Sequence, residues 1–500
     1  MNLQTQTQPT VEDATTHFDV LIVGAGISGI DAAYHLRRDM PGKTFALLDK
    51  QASFGGTWYV HRYPGIRSDS DLYTFGYSWK PWMGKPIATA EEILKYLGEA
   101  IEEHDLARHI RYGQLVRAAA WDSDAALWTL TVEDRETGRS GPMTCSFLWM
   151  CQGYYRHDEG YMPDYPGRER FRGEVVHPQT WPEDLDYSGK RVVVIGSGAT
   201  AATVVPAMAP TAEHVTMLQR SPTYFFARPN TNELAEMLKP LNLPDEWFHE
   251  IMRRKYLHDG EVVAQRSREE PEQLRDDLLA GARAYLGEDY PLDPHFTPTY
   301  RPWRQRLALI PDGDLYQAIA SGAASVVTDR IETFTETGIQ LQSGDHLEAD
   351  IIISATGFNM SPLGDIPFTV DGALLDFAKC WAHRGILFSG LPNLAWMFGY
   401  LRTSWTMRAD LIADFVIRLL THMDEKGARS VVPTLRDSDR DMEPRPLVSE
   451  DNFNAGYITR SMPLMPRQGD RQPWIFSQDY YTEKDEIRGA DLEDGTLVYR

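Results

Sequence analysis

One feature constrains the fold of this chain more than any other, and it occurs twice: a glycine-rich turn that follows a short apolar run and opens a helix-like pattern. Gly24-Ala25-Gly26-Ile27-Ser28-Gly29 follows Phe18-Asp19-Val20-Leu21-Ile22-Val23, and Gly196-Ser197-Gly198-Ala199-Thr200-Ala201 follows Lys190-Arg191-Val192-Val193-Val194-Ile195. A single such turn occurs by chance. Two, each set between a β-branched strand pattern and a helical one, predict two βαβ units with parallel sheets and two dinucleotide sites. In such a unit the first glycine permits the tight turn, the second admits a pyrophosphate to the backbone, and the third lets helix pack on strand. The helix that follows presents its free amides to the phosphates.

The copies differ where the second strand ends. Phe45-Ala46-Leu47-Leu48 runs into Asp49, 20 residues after Gly29. An acid at that point accepts hydrogen bonds from a ribose diol, which selects an unphosphorylated adenosine such as that of FAD. In the second copy Val215-Thr216-Met217-Leu218 runs through Gln219 into Arg220-Ser221. A guanidinium binds a 2′-phosphate bidentately where an acid would repel it, so this site reads as NADPH, with a solvated surface arginine as the alternative.

The remaining features bound the function. At 500 residues, 42% hydrophobic and 24% charged, the chain has enough apolar side chain for several cores. A net charge of −22 gives no electrostatic reason to bind nucleic acid or an anionic membrane. Cys145, Cys151 and Cys380 form neither a C-x-x-C pair nor a zinc framework, and the histidines lack ligand spacing, so no metal is expected. Residues 1–16 read as a flexible tail without a leader pattern, and no run approaches the ~18 apolar residues of a spanning helix. A cytoplasmic protein is expected.

The fold class is therefore α/β, with two Rossmann-like dinucleotide-binding domains and a helical insertion. We expect an FAD-binding domain over 17–155 and 385–500, and an NADPH-binding domain over 156–384 with the insertion at about 230–295. Leu115–Trp121 and Trp128–Glu133 alternate like antiparallel strands inserted in the first domain. The loop Gly55-Gly56-Thr57-Trp58 to Arg62-Tyr63-Pro64-Gly65-Ile66-Arg67-Ser68-Asp69 is too rich in Trp, Tyr, Arg and Asp for mere connection. A surface loop closed by a local Arg–Asp pair is its alternative. Arg301, Arg304 and Arg306 make a local positive site in an acidic chain.

Between the two glycine turns lies Phe171-Arg172-Gly173-Glu174-Val175-Val176-His177-Pro178-Gln179-Thr180-Trp181-Pro182. This F-x-G-x-x-x-H-x-x-x-W-P pattern resembles the fingerprint of type I Baeyer–Villiger monooxygenases among the class B flavoprotein monooxygenases. Leu218–Pro222, Gln305-Arg306-Leu307 and Ala355-Thr356-Gly357 resemble further family motifs, and the ethionamide-activating subgroup is the most similar. The resemblance spans about Asp19 to Trp474. It implies FAD held by Gly24, Gly26, Ser28, Gly29, Asp49, Gly56, Thr57, Trp58, Tyr59, Val60, Asp69 and Val116. It implies NADPH held by Gly196, Ser197, Gly198, Ala199, Thr200, Ala201, Arg220 and Ser221.

The activity implied is an NADPH- and O2-dependent oxygen insertion beside a ketone carbonyl, through a C4a-peroxyflavin, giving an ester or lactone, with sulfide oxidation alongside. The resemblance makes Arg306 the catalytic cation and Asp69 its carboxylate partner. A guanidinium about 4 Å from a peroxide anion stabilises it by about 4 kcal/mol at an effective dielectric near 20, roughly three pKa units. Where some relatives have a Lys before that Arg, this chain has Gln305, which leaves NADPH selectivity leaning on Arg220. His177 is expected to serve in domain-linking hydrogen bonds rather than as a general base. An N- or S-oxygenating flavin monooxygenase and a non-catalytic NADPH-binding regulator are the competing readings.

Overall fold

A computed structural model describes residues 16–305, 307–449 and 453–500. Arg306 and all of the expected tail except Thr16 lie outside the described residues. The chain opens with β1 (Thr16–Val23), α1 (Ile27–Asp39) and β2 (Phe45–Leu48), whose apolar runs pair in parallel from Val20 against Phe45 to Val23 against Leu48. Helix α2 (Ala90–Glu103) begins with a capping box between Thr89 and Glu92 and buries Ile93, Tyr96, Leu97, Ala100 and Ile101, one face at helical spacing.

Then β3 (Gln114–Asp122), β4 (Leu127–Asp134) and β5 (Ser140–Met150) run antiparallel to one another, and β5 returns beside β1 in parallel. The alternating burial along β3 and β4 is that of strands with one face on a core. A connecting strand, β6 (Tyr155–Gly160), leads to the second unit: β7 (Glu174–Val176), β8 (Arg191–Ile195), α3 (Ala199–Met208) and β9 (His214–Gln219). Helices α4 (Asp245–Glu269) and α5 (Pro271–Leu286) make up most of the insertion, before α6 (Asp314–Ala320), β10 (Ala324–Thr328) and β11 (Ile351–Ser354). The second sheet has five parallel strands in the order β10-β9-β8-β11-β7.

Return to the first unit comes through β12 (Phe358–Met360), which pairs antiparallel with β6, so two adjacent strands carry the chain across. The return is earlier than the expected residue 385. Strand β13 (Phe368–Val370) pairs in parallel with β3, with Ala119 N–H donating to Pro367 O at 3.1 Å and Phe368 buried edge-on to Trp128. An edge strand with free backbone groups has taken the first segment able to pair with it. The sheet reaches nine strands, with β14 (Leu394–Trp396) parallel to β5.

Helix α7 (Trp405–Lys426) packs against α1, and α8 (Tyr480–Arg488) against α7. The C-terminal stretch, whose sequence is uninformative, is a pinned part of this core. Arg408 and Glu483 form a fully buried ion pair at 2.9 Å, with Arg408 also donating to Phe398 O at 2.8 Å.

Though inserted in the second unit, the helical insertion rests on the first. Arg253 of α4 donates from Nη1 to Tyr73 O at 3.0 Å and Thr74 O at 3.2 Å, and Trp82 N–H donates to His249 Nδ1 at 3.1 Å. A buried guanidinium needs several acceptors, and the carbonyls ending the short helix Leu72–Phe75 supply them.

Candidate active site

Both glycine turns open into one continuous cavity of about 1220 Å³ between the two units. Gly24, Gly26 and Ser28 line it from one side, and Gly196, Gly198 and Thr200 from the other. Gly24 has φ +107°, and a Cβ there would stand 2.5 Å from Cys151 O; Gly196 has φ +125°, and its Cβ would run into Ala355 O. Each turn is thus closed by the carbonyl just past the neighbouring core strand. These are cradles that only glycine fits, and they suit a pyrophosphate.

The loop expected to contact a cofactor lies against the first cradle. Gly55 N–H donates to Ala25 O at 3.0 Å, and Gly56, at φ +54°, comes so close to Gly26 that a Cβ would stand 3.2 Å from its Cα. Thr57 and Trp58 line the cavity; Tyr59 and Val60 do not, and the Tyr59 ring instead lies under the Arg62 guanidinium at 4.8 Å. Gly29 and Ala201 likewise sit behind the turns, packed against their strands. Val116 and Asp69 line the cavity wall. Among the described residues Arg67 pairs outside its own loop, reaching Asp314 of α6 in the second unit at 2.5 and 3.1 Å.

The two strand-end residues behave differently. Asp49 is buried; its Oδ2 accepts from Ala25 N–H at 2.7 Å and its Oδ1 from Gln51 N–H at 2.8 Å, while burial pushes its pKa up. The carboxylate ties the turn to the strand end while lining the cavity. Arg220 is exposed at the cavity rim, with no hydrogen bond or ion pair among the described residues. Beside it Ser221 O accepts from Ser197 Oγ at 3.2 Å, which joins the second turn to the arginine's own loop.

His177 Nε2 donates to Gly357 O at 3.1 Å and its Nδ1 accepts from Gln179 N–H at 3.1 Å, so both ring nitrogens hold backbone at the crossing between units. Burial holds its pKa below the usual range, and nothing leaves it available as a base. Arg301 donates to Ser267 Oγ at 2.7 Å, bracing the insertion. Gln305 lines the cavity. All three cysteines are free and buried, and Cys151 lines the cavity floor.

The loop around Trp405 is expected from the sequence to shape the pocket, but Tyr154, Tyr155 and Phe358, which form an aromatic wall with it, are not. Tyr154 stacks on Trp405 at 5.1 Å, Tyr155 lies 4.2 Å from Phe358, and Trp405 Nε1 donates to Ser28 Oγ at 2.7 Å. The available signal was Tyr154-Tyr155 directly after the Gln152-Gly153 that ends a core strand. Arg460, 3.5 Å over the Tyr161 ring, closes the same side.

Two dinucleotide folds sharing one cavity define the class of the protein as a two-nucleotide oxidoreductase scaffold. Residues 86–238 match the flavin-binding monooxygenase-like family and residues 22–83 an NAD(P)-binding Rossmann-like domain. The chain is 45% identical over 487 residues to the FAD-containing monooxygenase EthA of Mycobacterium tuberculosis, covering 97% of this chain and 98% of EthA. The fold is that of an oxidized steroid monooxygenase bound to NADP (TM-score 0.75, 23% identity, 97% and 99% of the two chains). It is also that of a Rhodococcus cyclohexanone monooxygenase bound to NADP+ (TM-score 0.68, 24% identity, 84% and 87%). The chain belongs to the FAD-containing flavin monooxygenases, in the subgroup of EthA that its motifs resemble. Among the described residues no helix is long and apolar enough to cross a membrane.

Proposed function

We propose that this chain is an NADPH- and O2-dependent monooxygenase that inserts one oxygen atom beside a ketone carbonyl, giving an ester or lactone, and that also oxidises sulfides. The observation that carries the reading is the shared cavity, because hydride transfer requires the two nucleotides to meet. Bound together, FAD and NADPH supply hydride transfer and the activation of dioxygen.

The chain's own residues hold and orient. The cradle of Gly24, Gly26 and Ser28, with Asp49 behind it, receives the flavin nucleotide, and Gly56 to Trp58, Val116 and Asp69 flank the rest of it. Gly196 to Thr200 receive the second pyrophosphate, while Arg220 and Ser221 recognise the 2′-phosphate. Trp405 and Tyr154 wall the cavity against water. Arg306 supplies a fixed positive charge that stabilises negative charge developing on the oxygen being transferred, and Asp69 positions that guanidinium.

The test is oxygen uptake driven by NADPH, with linear ketones, cyclic ketones and thioethers as substrates and the products identified under ¹⁸O2. Labelled esters or lactones from ketones, lost in Arg306→Ala while NADPH still reduces the flavin, are the expected result. Sulfoxides alone, with no ester from any ketone, would replace this reading by a heteroatom oxygenase.

A further inference from the structure

Away from the cavity, α1 and α7 enclose a polar cluster that the proposed reaction does not use. Asp31 and His35 stand one turn apart on α1, and Asp410 faces them from α7; their relative exposures are 0%, 3% and 7%. Each carboxylate has one oxygen engaged. Asp31 Oδ1 accepts from Trp79 Nε1 at 2.9 Å, and Asp410 Oδ2 from Arg253 Nη2 at 3.3 Å.

Among the described residues the other oxygens, Asp31 Oδ2 and Asp410 Oδ1, have no hydrogen-bond partner, and neither has His35 Nε2. An unpaired buried polar atom costs about 1–3 kcal/mol, more for a charge, and three in one place require an account. One ligand atom from each of the three residues lies within 4.8 Å of the other two, so a point exists within about 2.8 Å of all of them. Contraction by roughly 0.6 Å, a rotamer adjustment, reaches the 2.0–2.2 Å of zinc–nitrogen and zinc–oxygen bonds.

We propose that Asp31, His35 and Asp410 form a structural site for a divalent transition-metal ion of the zinc class, which clamps α1 to α7. An imidazole with two carboxylates suits such an ion, whereas calcium and magnesium take all-oxygen shells. The three side chains leave a fourth position of a tetrahedral ion to a water, and the surroundings orient the ligands. Trp79 and Arg253 already hold one oxygen of each carboxylate. Arg38 Nη2 now donates to His35 Nδ1 at 3.2 Å, which leaves the ring proton on Nε2 with Asp31 Oδ1 out of hydrogen-bond range at 3.7 Å.

Metal binding shifts that proton to Nδ1, where Asp39 Oδ2 at 3.7 Å and Asp414 Oδ1 at 3.8 Å are placed to accept it, the usual outer partner of a metal-bound histidine. Arg38 stays on Asp39, at 2.7 and 2.6 Å.

Tag-free, flavin-loaded full-length protein, stripped with a chelator, should bind one Zn²⁺ per chain in calorimetry and melt at a higher temperature with it. Asp31→Asn and His35→Gln should each weaken binding by about 100-fold or more and retain their flavin. No saturable binding in the wild type, or binding unchanged in both variants, would overturn the site. If metal-free Asp31→Asn melts above metal-free wild type while zinc does nothing to wild type, the two acids share a proton and the proposal falls.

Discussion

The two glycine turns can be laid over each other residue by residue, and their differences are more instructive than their likeness. Gly26 and Gly198 have the same backbone, φ −79° and ψ −171°, and each caps a helix without help from its side chain. Gly24 and Gly196 donate to the carbonyls of Leu48 and Leu218, at 2.7 and 2.8 Å. At the third position the copies part. A Cβ on Gly29 would collide with Gly24 O, whereas the second turn keeps the methyl of Ala201, fully buried. At the next strand end, Asp49 is spent on backbone amides, and Arg220 has no partner among the described residues. In the function proposed above, the backbone places each pyrophosphate and the side chain one strand later distinguishes the nucleotides.

Alanine at the first glycine of each turn should separate the two roles with the largest effect. Gly24→Ala and Gly196→Ala each place a side chain at a strained φ against a carbonyl, a cost of at least 1–3 kcal/mol, or about tenfold to a hundredfold in binding. Gly24→Ala should emerge from purification largely without yellow flavin. Gly196→Ala should keep its flavin and lose reduction by NADPH. Equal flavin loss in both, read from the absorbance ratio, would break the assignment of one nucleotide to each turn.

Asp49→Ala comes next. It strands the buried amide of Ala25, at about 1–3 kcal/mol, together with the part-buried amide of Gln51, and should lower the thermal midpoint as well as flavin retention. Arg220→Ala should leave the melting temperature nearly unchanged, raise KM for NADPH about 10- to 100-fold, and spare NADH, since a charge-assisted contact contributes about 1.5–3 kcal/mol. An equal loss with both coenzymes would refute 2′-phosphate recognition.

The smallest effect concerns the insertion that ties one unit to the other. Burial, reinforced by the nearby Arg253, holds the pKa of His249 at about 4 against 6.5. Between those values the unfolded chain takes up a proton that the folded one refuses. Stability from this site is therefore complete above pH 6.5 and is lost as the pH falls toward 4, by up to about 1.4 kcal/mol per pH unit. His249→Gln should flatten the acid side of a melting-temperature profile by about one proton; an unchanged slope would show that the insertion is not held there.

Much of the fold was legible because its signals are local. Val20 to Val23, Val192 to Ile195 and Ile351 to Ile353 are apolar runs that fit only buried parallel strands, and glycine followed each of the first two. The earlier return at Phe368 was not legible, since Phe-Thr-Val carries no mark of which sheet edge will take it. Nor was Arg67, whose nearest acid in sequence, Asp69, is not the one it pairs with. The aromatic wall and the Asp31–His35–Asp410 cluster depend on residues hundreds of positions apart that only the packed sheets bring together. Tyr59, Val60, Gly29 and Ala201 belong to the same motifs but do not line the cavity.

The account rests on the two turns serving one reaction space, and anaerobic mixing tests this most directly. Flavin-loaded wild-type protein mixed with NADPH without oxygen should lose its flavin absorbance in a phase that saturates with coenzyme, and this phase should disappear in Gly196→Ala. Flavin that stays oxidised with both NADPH and NADH would contradict it.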